Sequence, residues 1–147
     1  MLVRLQDLPA RVLAGVGAAL LLVSGYVHLH LWDIAYRHVD TLGPLFLAQA
    51  AAAVVLAVLL VAWPTRAVVI ASAVFSVGTI AGFVKALNGG IFDFTLPVVT
   101  SWAELALGAE IGVVVVLAIA LWLDRAGAAD LPTARATNPS ATNPSGA

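Results

Sequence analysis

The chain contains no cysteine. That absence excludes disulfides, thiolate metal sites, iron–sulfur clusters and dithiol redox chemistry together. Charge is the second scarcity. Asp, Glu, Lys and Arg make up 10% of the 147 residues, where a soluble domain carries about 25%. The net charge is −1, so no basic field draws the chain to nucleic acid. A Walker-type phosphate loop and a His-Glu-x-x-His pair are both missing, which leaves a P-loop ATPase or a zinc protease of that class without its residues. What is abundant is apolar: 62% of residues are hydrophobic, against about 45–50% in a soluble domain. A chain this short cannot bury so much apolar surface in a water-soluble fold. Its solvent and first partner is therefore a lipid bilayer.

A bilayer crossing needs about 20 predominantly apolar residues. Four such stretches stand out, at about 12–31, 42–63, 67–87 and 101–123. Backbone groups cannot remain unpaired in lipid, and no ten-residue alternation of a barrel strand is present, so the spans are helices. The fold class expected is all-α: a four-helix transmembrane bundle with short loops. Pro9 precedes the first span, Thr41 offers an N-cap for the second, Trp63-Pro64-Thr65-Arg66 makes a tight turn, and Asn88-Gly89-Gly90 stops the third. Trp32, Trp63, Trp102 and Trp122 fall near span ends, where an aromatic belt would hold them. The first span is too long for a signal core and lacks a small-x-small cleavage site after it, so it is expected to be retained.

Basic residues assign an orientation. Arg4, Arg11, Arg66, Arg125 and Arg135 share one side of a four-span layout, and Arg37 and Lys85 lie on the other. The positive-inside rule then puts both termini in the cytoplasm of a plasma (inner) membrane. Residues 126–147 are small, polar and proline-bearing, with Ala-Thr-Asn-Pro-Ser at 136–140 repeated at 141–145. Such a segment has little to bury and is expected to be a disordered cytoplasmic tail. The segment between Asn88 and Thr100 is expected to lie on the membrane surface.

The ionisable residues gather toward the opposite, outer side: His28, His30, Asp33, Arg37, His38, Asp40, Lys85, Asp93, Glu104 and Glu110, with the amide of Gln49. The inner half of the spans carries almost nothing polar. At about 1.5 Å per residue, Glu104 lies about 5 Å into the fourth span and Glu110 about 13 Å. Glu104 can snorkel. Glu110 cannot, so it must face the bundle, find a partner or stay protonated. Gln49, about 10 Å down, matches its depth, and a hydrogen bond between the two is expected. Lys85 either snorkels or pairs with Glu104. His28, Gln49, Lys85, Glu104 and Glu110 form the candidate outward-facing pocket.

His28 and His30 point about 200° apart on a helix, so they share a metal only if the helix breaks. In that case Asp33 or His38 could complete the set. The other readings are haem ligation between helices and a pH-sensitive polar cap without a ligand. Asp33 and Arg37 form an i,i+4 pair. Small residues repeat at spacing four: Gly78, Gly82 and Ala86 on the third span, Gly108 and Gly112 on the fourth. Gly17 and Gly25 lie on one side of the first span, and alanines crowd the second from Ala48 to Ala57. These stripes serve close packing within one bundle or a homodimer or larger complex.

The segment Ser24-Gly-Tyr-Val-His-Leu-His-Leu-Trp32, then Tyr36-Arg37, then Asp40-Thr-Leu-Gly-Pro-Leu-Phe-Leu-Ala-Gln49 resembles a group of small actinobacterial four-span membrane proteins with no assigned activity. The four-span layout is similar to DoxX-like proteins. The resemblance implies location and topology, and it carries no catalytic residue over. Three functions stay open. The first is a non-catalytic structural or accessory membrane component. The second is a small binding or permeation protein for a proton, metal ion or small ligand. The third is an intramembrane enzyme using Glu110 with His28.

The orientation has a direct test, because an introduced thiol would be unique. A Ser145→Cys variant should be shielded from membrane-impermeant thiol reagents in intact cells. Labelling without permeabilisation would reverse the topology.

Overall fold

The structure, a computed structural model, describes Leu5, residues 8–88, Gly90 and residues 100–136, with side chains described up to Ala126. The expected surface segment, with Asp93, falls mostly outside the described residues, as do Arg4 and the Ala-Thr-Asn-Pro-Ser repeat beyond Ala136.

The described residues form four α-helices: α1 Leu8–Leu31, α2 Leu42–Ala62, α3 Arg66–Leu87 and α4 Ser101–Ala136. A π-helical turn, Trp32–Tyr36, extends α1. No β-strand occurs among the described residues. The stretches Leu8–Tyr36, Leu42–Ala62, Arg66–Leu87 and Ser101–Ala126 are each long and apolar enough to cross a membrane. Their outward faces are as apolar as a core: Val54, Val55, Val58 and Val61 on α2 and Val74 and Val77 on α3 are all exposed. Faces of that composition suit lipid, not water. This is the all-α, four-helix bundle of a multi-pass membrane protein.

Several boundaries differ from those read in the sequence. α1 begins at Leu8, so Pro9 lies inside its first turn, where a missing N–H costs nothing. α4 continues to Ala136, beyond its membrane-length stretch. Thr41 does not cap α2 through its side chain. It takes φ 68°, and backbone bonds from Leu42 N to Asp40 O (2.8 Å) and Gly43 N to Val39 O (2.9 Å) close the turn instead. Thr65 is a true N-cap of α3, its Oγ1 accepting from Val68 N at 3.3 Å, and Thr100 does the same for α4 through Ala103 N at 3.3 Å.

The order around the bundle is α2, α1, α4, α3. α1 packs against α2 and α4, α3 packs against α4, and α2 and α3 scarcely touch. Small residues set these approaches. A Cβ on Gly17 would come within 2.7 Å of Leu117 on α4, and one on Gly25 within 3.1 Å of the Ala53 methyl on α2. Gly112 packs on Leu20 in the same way. Gly78, Gly82 and Gly108, by contrast, would place a Cβ in open space. The stripe on α3 is therefore not a packing seam of this bundle.

The end at which Trp63-Pro64-Thr65 joins α2 to α3 (the turn end) holds the core, with an open apolar groove of about 410 Å³ between α2 and α3 lined by Leu56, Trp63 and Val68. Leu5, Ala14, Leu21, Leu60, Val69 and Leu117 form one buried cluster there, and Leu5 N bonds Pro64 O at 2.9 Å. This half is also more polar inside than the sequence suggests: Thr65, Ser72, Ser76 and Asp124 are all buried. Arg66 Nε donates to Asp124 Oδ2 at 2.6 Å, joining the start of α3 to α4. Arg66→Ala strips that ion-pair partner from a buried carboxyl, and a loss of about 1–3 kcal/mol is expected. Thermal unfolding in detergent reads it, and an unchanged midpoint would refute the role.

Candidate functional site

The opposite end (the loop end, where the π-helical turn leads into α2) is hollow. A cavity of about 670 Å³ lies between α2 and α3, backed by α1 and α4. Pockets of about 300–1,000 Å³ hold small molecules. Its wall is largely apolar: Leu45 and Phe46 from α2, Phe75, Ile80 and Phe83 from α3, Trp102, Ala106 and Leu107 from α4. Gly78 and Gly82 line it as well, so the small-residue stripe of α3 makes space. At the rim, the π-helical turn closes through Arg37 N to Trp32 O at 2.8 Å. Tyr36 stacks on Phe46 with ring centres 4.5 Å apart.

The polar groups of the cavity are few. Glu110 lines it and is only 1% exposed. Ser24, fully buried on α1, donates its hydroxyl to Glu110 Oε1 at 2.5 Å. Among the described residues Glu110 Oε2 has no hydrogen-bond partner, and neither do Ser72 Oγ and Ser76 Oγ, both buried on α3. His28 Nδ1 lies 2.9 Å from Ser24 O and 3.4 Å from Ser24 Oγ. A carbonyl oxygen only accepts, so Nδ1 carries the hydrogen and Nε2 is the acceptor of the neutral imidazole. The ring leans on Phe46 at 5.3 Å. Gln49 Nε2 donates to Thr79 Oγ1, which in turn donates to Phe75 O at 3.1 Å. That pair links α2 to α3 across the cavity.

Of the five candidate pocket residues, the structure brings His28, Gln49 and Glu110 to one cavity. Lys85 and Glu104 are exposed and do not line it. Their side chains point away because each sits on an outward face near a helix end, where a charged group reaches water more cheaply than it enters a bundle. The expected Gln49–Glu110 bond is replaced by Gln49–Thr79 and Ser24–Glu110. Both residues line the same cavity, but direction around the helix axis gives each another partner.

The four candidate metal ligands separate. His30 lies between Tyr26 and Trp102, with ring centres 6.0 and 4.5 Å away. Asp33 pairs with Arg37 at 3.5 Å, and His38 Nε2 accepts from Arg37 Nε at 3.0 Å. The helix stays unbroken through His28 and His30. Among the described residues no three His, Asp or Glu side chains come together as a metal site.

Ser24 and Thr79 are the polar partners that sequence reasoning passed over, and depth alone would have flagged both. The Arg66–Asp124 pair was hidden because each residue reads as an ordinary span-end charge.

Ser24→Ala removes the donor to Glu110 and should cost about 1–3 kcal/mol in detergent unfolding. Lys85→Ala and Glu104→Ala should stay within about 0.5 kcal/mol. Equal losses for all three would show that the buried bond is not special.

No protein-family model, curated protein or solved structure matches this chain.

Proposed function

We propose that this membrane protein is a non-catalytic binding component that holds a small amphipathic molecule in the cavity between α2 and α3. The observation that carries the reading is the pairing of an apolar cavity with a buried carboxyl whose Oε2 has no partner. Apolar walls bind the body of a ligand, and a few fixed polar groups orient its head. The basic residues of the sequence favour a plasma-membrane setting with both termini in the cytoplasm. The cavity then faces the outer side.

A purely structural or accessory role has one observation in its favour: Ser24–Glu110 ties α1 to α4. Such a staple does not require a cavity lined by glycine. An enzyme built on Glu110 and His28 has less support. Ser24 is fully buried, its hydroxyl is committed to Glu110, and the Nδ1 of His28 is turned to a backbone carbonyl. No activated nucleophile faces the cavity in that arrangement.

The test is photolabelling in lipid nanodiscs with an alkyl diazirine bearing a hydroxyl head. Label should concentrate on the peptides holding Phe46 and Phe83. A Gly82→Leu variant should fill the cavity without a clash, since a Cβ there meets nothing within 4 Å, and should lose that label with its unfolding midpoint intact. Label spread evenly over lipid-facing residues, unaffected by Gly82→Leu, would defeat the proposal.

A further inference from the structure

We infer that the molecule held in this cavity is a lipophilic monoamine, bound as its ammonium by Glu110. The inference rests on the cavity being a binding site and adds the chemical class of the ligand. It follows from a count of donors and acceptors. Ser24 has given its hydroxyl hydrogen to Glu110, His28 its Nδ1 hydrogen to Ser24 O, and Thr79 its hydroxyl hydrogen to Phe75 O. Gln49 gives one amide hydrogen to Thr79. Two positions remain open: Glu110 Oε2, an acceptor when the carboxyl is ionised against a bound cation, has no partner among the described residues, and His28 Nε2 is left by the bond its other nitrogen makes. Donors remain as well, in the second amide hydrogen of Gln49 and the indole N–H of Trp102, but the buried unanswered oxygen is that of the Glu110 carboxyl, and a ligand that donates answers it.

Charge narrows the class further. No lysine or arginine is among the described residues that line the cavity, while a carboxyl is. An anionic head would enter without a countercharge and against Glu110, at a high desolvation cost. A zwitterionic phospholipid head would bring a phosphate that nothing there neutralises. An ammonium meets the carboxyl directly, and charge-assisted bonds of that kind are about twice as strong as neutral ones. Phe46, Phe75, Phe83 and Trp102 line the same space, and aromatic faces favour a cation that has left water. The remaining wall is apolar and suits one hydrocarbon body. A single ammonium with an apolar tail answers the open carboxyl oxygen and suits the apolar wall.

The test competes the diazirine label in nanodiscs at neutral pH with a medium-chain primary amine and with the alcohol and carboxylate of the same length. The amine should displace the label at concentrations about tenfold below the alcohol, and the carboxylate should be weakest. In Glu110→Gln, whose amide oxygen still accepts from Ser24, the amine should fall to the level of the alcohol. Alcohol matching or beating the amine in the unmodified protein would overturn the inference and leave the binding cavity standing. So would an amine preference that survives Glu110→Gln. Should that variant fail to fold, the ranking of the three competitors on the unmodified protein decides alone. Loss of all Gly82-sensitive labelling would instead remove the binding site itself.

Discussion

The hydrogen bond from Ser24 to Glu110 organises the half of the bundle that carries chemistry. In a membrane the hydrophobic effect does not draw apolar helices together, since lipid is as apolar as a leucine. Association then depends on close packing and on polar groups that cannot be left in hydrocarbon. Glu110 is such a group. It lies well inside its helix, is almost fully buried, and finds its partner on α1 at 2.5 Å. The same serine supplies the carbonyl that orients His28. One turn of α1 thus fixes both Glu110 and His28. It satisfies only one oxygen of the carboxyl and leaves the other without a partner.

Packing explains why the space lies where it does. α1 is the hub: Gly17 admits Leu117 of α4 and Gly25 admits the alanines of α2. With both neighbours drawn close to α1, α3 is held chiefly by α4. At the turn end, the short Trp63–Thr65 connection and the Arg66–Asp124 pair bring α3 into contact with a solid core. Toward the loop end, among the described residues, a single side-chain hydrogen bond, Gln49 to Thr79, joins α2 to α3. The helices part, and glycines at 78 and 82 widen the gap. A packed end and a hollow end follow from where the short connection falls.

The sequence makes the architecture legible because lipid imposes a coarse rule. Any helix that spans must be long and apolar, and four stretches meet that test. Depth was equally legible, since residue count converts directly to distance along a helix. Depth singles out Glu110, and the structure places it on one cavity with His28 and Gln49. Direction around each helix was not legible. With lipid-facing and core-facing sides both apolar, composition gives no rotational phase, unlike a helix at a water interface. That is why the sequence groups Lys85 and Glu104 with a cavity they do not line, and pairs Gln49 with Glu110 instead of Thr79. Ends were blurred for another reason: caps depend on backbone turns, and at Thr41 the backbone supplies bonds its side chain was expected to make.

The buried polar atoms divide into two kinds, and the division bears on function. Arg66 with Asp124 and Gln49 with Thr79 are pairs whose members answer one another, and a bundle needs such pairs only to hold itself together. Ser72 and Ser76 leave hydroxyls unpartnered, but a small neutral hydroxyl inside a helix core is a modest cost. Glu110 is different. A carboxyl oxygen is the most demanding acceptor a side chain offers, and a staple to Ser24 would work as well from the single acceptor oxygen of a glutamine. Placing a second, unanswered oxygen beside a cavity is unnecessary for assembly and costly in lipid. It becomes reasonable when something else in the cavity answers it. The part of Glu110 that the fold does not use is therefore the observation on which the proposed binding role rests.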